Sequence, residues 1–234
     1  MTDPIQFPGE DQSNATRAVL TASEPLAQRT YTPTQAVFSR SAGVFHFTPE
    51  GRRLYDYSSG VLVANLGPNP RQWMQHFCRY LGWRPENVTG DGDGDFFEAV
   101  TLTSYNAVTE IEVQASKRLL DSMRSKLDTV LWAASGSEAV QKALWACLHR
   151  DEERDLILAT RHGFHGKKGL AGACTGSEND RDRDPRVKFI SFPMDEIDDY
   201  DKPADEIDLA KYEQELDALW TEHGRRINCL ITEP

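Results

Sequence analysis

The chain has 234 residues, 39% of them hydrophobic and 27% charged; its 16 glycines bring the apolar share to about 46%, the ordinary globular range. A formal net charge of −11 and a sequence pI near 5.0 argue against nucleic acid or an anionic membrane as partner. Residues 1–30 carry no apolar signal core, no apolar run is long enough to span a bilayer, and the four cysteines (Cys78, Cys147, Cys174, Cys229) form no CxxC pair, so the expectation is a cytoplasmic protein with free thiols.

Residues 1–30 are polar and lack periodicity, which predicts a loose N-terminal arm. The sequons at Asn14 and Asn87 are chance matches without a signal peptide. Val44–Phe47 and Leu54–Tyr57 alternate around Pro49-Glu-Gly51 and predict a β-hairpin. Ser58 to Pro70 reads as a loop. Arg71–Leu81 reads as a helix with Trp73, Phe77 and Tyr80 on one side. Asp91-Gly-Asp-Gly-Asp95 invites a calcium loop, but an EF-hand needs Gly at its sixth position and Glu at its twelfth. Here stand Phe96 and Leu102, so a solvated acidic loop is expected.

From Val108 to Leu127 the apolar residues Ile111, Ala115, Leu119, Leu120 and Met123 recur at helical spacing. Asp128–Ala134, with Val130, Leu131 and Trp132, reads as a short buried strand. Ser135, Gly136 and Ser137 then make a small-residue turn into a helix marked by Val140, Ala143, Leu144, Cys147 and Leu148. Such a turn aims unpaired backbone N–H groups and the positive end of the helix dipole at one spot. Two readings stand side by side: a phosphate cradle, or a plain cap in which Ser135 or Ser137 bonds its own helix.

A second apolar run, Leu156–Ala159, leads into Gly163-Phe-His-Gly166. Then come a charged loop (Ser177–Arg186), a strand (Val187–Phe192), an acidic stretch (Asp195–Asp208) and a helix carrying Leu209, Tyr212, Leu216, Leu219 and Trp220. A last strand, Ile227–Thr232, runs into Glu233-Pro234. Strands alternating with helices after residue 100 predict an α/β fold with a mostly parallel, helix-covered sheet.

Ser-Gly-Ser-Glu-Ala opening a helix, then Gly-Phe-His-Gly after the next strand, then Leu-Ile-Thr-Glu-Pro, form an ordered triple. This triple resembles the class III aminotransferases, pyridoxal-phosphate enzymes of fold type I. Gly51–Gly60 and Asn65-Leu-Gly67 extend the likeness, which reaches from Phe38 to the last residue. Pro68 departs from it, since that position is often His in the family. The resemblance implies three segments: residues 1–35 as the arm, 36–70 as an N-terminal hairpin segment of the small domain, and 71–234 as part of the cofactor-binding large domain, incomplete at the C-terminus.

It implies pyridoxal 5'-phosphate as cofactor, with the phosphate on the turn of Ser135, Gly136 and Ser137 and the ring stacked on Phe164. His165 would support the ring residue, and Glu233 would stand at the edge of the cofactor site. Lys167 and Lys168 are tempting Schiff-base lysines, but the family's lysine comes later in the chain. Lys167 also stands where the acetylornithine branch commonly carries a carboxylate-binding Arg, and it lacks the planar bidentate fork. The covalent lysine and the aspartate that pairs with the pyridine nitrogen are expected beyond Pro234, so no catalytic residue is assigned within the chain. The implied activity moves an amino group from an amine or amino acid to a 2-oxo acid or aldehyde, in a homodimer. An aminomutase or decarboxylase of the same fold, or a non-catalytic partner subunit, is the alternative.

Overall fold

A computed structural model of the chain describes residues 5–23, 35–89, 96–101, 107–123, 127–181, 183–194, 196 and 201–233. The acidic run Asp91–Asp95 and parts of the stretch after Phe192 lie outside the described residues. Contacts divide the chain into two compact units, residues 1–113 and 114–234.

The first unit holds a helix where a loose arm was expected. Helix α1 spans Asp11–Ser23 and has no apolar stripe; it is held by polar contacts from beyond its own sequence. The Arg17 guanidinium, 2% exposed, reaches Glu10 at 2.6 Å, the Asn14 side chain at 2.7 Å and the Gln35 carbonyl at 3.0 Å. Ser13 donates both its backbone N–H (2.7 Å) and its hydroxyl (2.8 Å) to the carboxylate of Glu50. The physical reason for the miss is that periodicity detects apolar faces, and this helix docks through buried charge.

The Glu50 carboxyl is held down at about 2, chiefly by the Ser13 N–H, against an ordinary value of 4.5. A depressed folded value means the clamp is fully present above pH ~4.5 and is lost as pH falls toward ~2. Amide exchange at Ser13 should therefore accelerate across that window and stay flat from pH 5 to 7. A Ser13 amide that exchanges equally at pH 3 and pH 6, after correction for intrinsic rates, would refute the clamp.

Three antiparallel strands follow: β1 (Arg40–Ala42), β2 (Phe45–Phe47) and β3 (Arg53–Tyr55). Pairing of Phe45 with Tyr55 and Phe47 with Arg53 is the expected hairpin, with β1 added on its other edge. The Ser58–Pro70 loop contains one short helical turn, α2 (Ser59–Leu62), and α3 spans Arg71–Leu81 as the pattern predicts. Gly82 ends α3 in the left-handed conformation (φ +74°), returning its N–H to the last turn. A short α4 (Pro85–Thr89) and α5 (Glu110–Ser122) come next.

The second unit is built on a parallel sheet. Strands β4 (Leu156–Thr160), β5 (Val187–Ile190) and β6 (Ile227–Ile231) lie in the order β5-β4-β6. Every residue of the central β4 is buried, as befits a strand covered on both faces. Helix α6 (Gly136–Arg150) and the short α7 (Gly169–Ala173) bring Leu144, Leu170 and Ala173 onto Ile157, Ala159, Val187 and Phe189. Burying the leucine, isoleucine, valine and phenylalanine side chains among them contributes about 1.5–3 kcal/mol each. Helix α8 (Ala210–His223) packs beside β5.

One expected strand is absent. Residues 128–134 form no ladder among the described residues, and Leu131 and Trp132 are 68% and 45% exposed. Bulky residues alone do not make a strand; backbone N–H and C=O groups need a partner edge. The cysteines are free, as expected; Cys174 is buried and the other three are half-buried. Burial pushes the Cys174 thiol up to about 11, and burial with Cys147 beside it pushes Cys229 up to about 12. Both are therefore protonated and unreactive at neutral pH.

Candidate cofactor site

The α6 turn, the Gly-Phe-His-Gly turn and Glu233 stand together at the carboxyl ends of β4 and β6. Sheet order explains this. The chain leaves β4 toward β5 on one side and returns to β6 on the other, so the loops after β4 and β6 meet at a crevice. Thr160, ending β4, and Thr232, after β6, are linked through their hydroxyls at 3.3 Å.

Ser135 is the N-cap of α6: extended backbone, with its hydroxyl oxygen accepting the Glu138 N–H at 3.2 Å. Glu138 reaches back to the Ala134 N–H at 2.8 Å, giving a reciprocal capping arrangement, and pairs with Lys142 at 2.7 Å. Among the described residues no group accepts from the N–H groups of Gly136 and Ser137. A Cβ built on Gly136 meets no atom within 4 Å, so the space in front of the turn is open. Two unpaired donors at the positive end of a 15-residue helix, facing open space, fit a phosphate group.

Ser137 joins the two motifs. Its hydroxyl oxygen accepts the Lys167 N–H at 3.3 Å, which leaves its own proton to donate elsewhere. Gly166 must be glycine here: its φ is +148°, and a Cβ would lie 2.8 Å from the Ser137 hydroxyl and 2.9 Å from the Ala171 methyl. One turn along α6, the Gln141 amide oxygen accepts the Leu170 N–H at 2.6 Å.

Phe164 is not a core residue; it is 55% exposed, its ring at the surface of the crevice. Its backbone N–H donates to the Glu233 carboxylate at 2.6 Å, so Glu233 grips the turn that carries the ring. His165 is 8% exposed, with its Nε2 buried and unpartnered. Burial holds its pKa below the ordinary value, with Glu233 pulling the other way, so the imidazole is neutral at pH 7. The ring packs on Gly163, where a Cβ would come within 2.9 Å of Nε2. Lys167 and Lys168 are exposed, and Lys168 supplies the extended backbone that opens α7.

Sequence reasoning passed over Thr175 and Gln141. The Thr175 hydroxyl oxygen accepts the N–H groups of His165 (2.9 Å) and Gly166 (3.2 Å) and lies 2.9 Å from the Gly166 carbonyl. The available signal for Gln141 was its i+4 spacing from Ser137. Thr175, ten and nine residues past its partners His165 and Gly166, offered none. Arg161, just after β4, reaches Glu178, Ser191 and Glu215 and fixes the start of the turn to the loop after β5 and to α8.

The sequence profile of class-III aminotransferases matches residues 95–234, more than half of the chain. The chain belongs to the class III aminotransferase family. The mitochondrial acetylornithine aminotransferase of Alnus glutinosa is 26% identical over 200 residues, 80% of this chain and 40% of that protein. The glutamate-1-semialdehyde 2,1-aminomutase of Caldivirga maquilingensis is 23% identical over 223 residues, 91% of this chain and 43% of that one. Among solved structures, the taurine:2-oxoglutarate aminotransferase of Bifidobacterium kashiwanohense, in complex with PLP and glutamate, superposes with a TM-score of 0.70. It is 16% identical and covers 98% of this chain and 48% of its own. The fold of this class III chain is accordingly that of the fold type I transferases. It spans 40% of the length of the acetylornithine aminotransferase it matches. No described helix is long and apolar enough to cross a membrane.

Proposed function

We propose that this chain forms the phosphate- and ring-binding part of a pyridoxal-phosphate-dependent aminotransferase, moving an amino group from an amine or amino acid to a 2-oxo acid or aldehyde. The observation that carries the reading is the convergence just described. Ser137 takes the Lys167 N–H and Glu233 takes the Phe164 N–H, so phosphate turn and ring platform are one rigid piece. Bound there, the cofactor would supply an electron sink for the carbon that loses or gains the amino group.

The chain's own residues hold and orient. Gly136 and Ser137 would hold the phosphate through their N–H groups and one hydroxyl, while Ser135 caps the helix whose dipole faces it. Phe164 offers its open face to the ring, a stacking contact of about 0.5–1.5 kcal/mol beyond burial. His165, neutral and held through its backbone N–H by Thr175, would support the turn that carries Phe164.

The aminomutase reading has its own support in the Caldivirga maquilingensis relative, which matches more of this chain than the acetylornithine enzyme does. An isotopically labelled amino donor separates the two. The protein that carries this chain, loaded with pyridoxal phosphate, should pass the label to an added 2-oxo acid. Label that stays on the carbon skeleton of the donor, moved to the neighbouring carbon, would make it an aminomutase. Absence of any amine-dependent change in cofactor absorbance would refute both.

A further inference from the structure

We propose that Ser41, His46 and Asp56 form a nucleophilic site in the first unit, at which the Ser41 hydroxyl is acylated by activated carboxylic esters. The sheet register builds it. Ser41 in β1 and Leu54 in β3 both lie opposite His46 in β2. Side chains directly opposite share a face, and Asp56, two residues past Leu54, falls on that face too. The Ser41 hydroxyl accordingly meets His46 Nδ1 at 2.7 Å, and His46 Nε2 meets Asp56 Oδ2 at 3.3 Å.

The Asp56 carboxylate fixes the tautomer. Its Oδ1 accepts the N–H groups of Ser58 (2.9 Å) and Ser59 (2.8 Å) and the Ser58 hydroxyl (3.0 Å), which leaves Oδ2 for the imidazole. Burial would raise this carboxyl, but those hydrogen bonds outweigh it and hold it below its ordinary value. A charged carboxylate at Nε2 puts the imidazole proton there, so Nδ1 is a bare acceptor facing the Ser41 O–H. A hydroxyl, a base and a third group that orients the base together activate a serine. Phe38 stacks on the imidazole with centroids 4.1 Å apart and planes 9° from parallel, which steadies the ring between its two partners. The contact of Ser41 with His46 is only part-buried, and Arg40 and Ala42 on either side are exposed, so a small ester can reach it. In the acylation, Ser41 Oγ bonds to the ester carbonyl carbon as its proton passes to His46 Nδ1. The bond to the leaving oxygen breaks and His46 returns the proton to that oxygen, giving acyl-Ser41 and an alcohol.

The probe is p-nitrophenyl acetate, added to the protein that carries this chain as wild type, His46→Gln and Asp56→Asn. Acetyl groups are located over time by peptide mass spectrometry. Ser39 is the internal control, since its hydroxyl donates to the Phe47 carbonyl. Expected is acetylation of Ser41 roughly a hundredfold or more faster than of Ser39, the lower end of what general-base help supplies. His46→Gln removes the base and should slow Ser41 by about the same factor. Asp56→Asn keeps an oxygen for Ser58 and Ser59 but favours the other imidazole tautomer, so it should slow Ser41 as well. If wild-type Ser41 is acetylated no faster than Ser39, the three residues only brace the sheet and the proposal fails, whatever the variants do. Equal Ser41 rates in the wild type and in folded His46→Gln would also overturn it, because the hydroxyl would then react without its base.

Discussion

Gly166→Ala should lower the stability of the second unit by about 2–6 kcal/mol, a large part of the roughly 5–15 kcal/mol that holds a domain together. Two causes add. At φ +148° a residue with a Cβ pays backbone strain of about 1–3 kcal/mol. The new methyl would also meet the Ser137 hydroxyl at 2.8 Å, the Ala171 methyl at 2.9 Å and the Ser137 Cβ at 3.0 Å, an overpacking cost of about 1–3 kcal/mol. None of these neighbours is a flexible tip, since Ser137 is in α6 and Ala171 in α7. Relief would require the turn to part from α6, which breaks the Ser137–Lys167 contact. Gly51→Ala is the control: its φ is +83° but no atom lies within 4 Å, so only the strain remains. Urea unfolding of the three proteins measures the difference. If Gly166→Ala costs no more than Gly51→Ala, the packing of the turn against α6 is not as described.

Gly136→Val should weaken binding of pyridoxamine phosphate by roughly a hundredfold or more, while Ser137→Ala weakens it by about tenfold. Side chains of a helix tilt toward its N-terminus, so a valine at the first position of α6 projects over the unpaired N–H groups. Blocking them forfeits two charge-assisted hydrogen bonds of about 1.5–3 kcal/mol each, whereas Ser137→Ala forfeits one hydroxyl contact. The built Cβ of Gly136 meets no atom within 4 Å among the described residues, so with a melting temperature that matches the parent the loss is assignable to the ligand. Calorimetry with the amine form of the cofactor reads affinity without a covalent link. Parent-like affinity in Gly136→Val would mean that the turn only caps its helix.

How much of this was legible beforehand depended on where the information lay. Helix α3 spans the residues its aromatic spacing marks out, because that signal is local. Strand β4 was readable as an unbroken apolar run for the same reason. Helix α1 was not, since Arg17 and Ser13 are satisfied by Gln35 and Glu50, residues that no window around the helix contains. The supposed strand at 128–134 failed in the opposite direction: its composition suited a strand, but no neighbouring edge among the described residues takes its hydrogen bonds.

The site divides in the same way. By itself the sequence determined which residue types stand at each turn: small donors opening α6, an aromatic between glycines after β4, a carboxylate after β6. It also determined the α/β class and the family, because these rest on order and periodicity along the chain. Only the tertiary structure decided that Ser135 caps α6 while the N–H groups of Gly136 and Ser137 meet no acceptor among the described residues, and that Glu233 holds the Phe164 backbone from 69 residues away. It likewise decided that Thr175 and Gln141 brace the turn, and that His165 is buried and neutral. The physical reason is that hydrogen-bond partnership and desolvation depend on distances across the sheet. Those distances are set by the order β5-β4-β6, which brings the ends of β4 and β6 side by side.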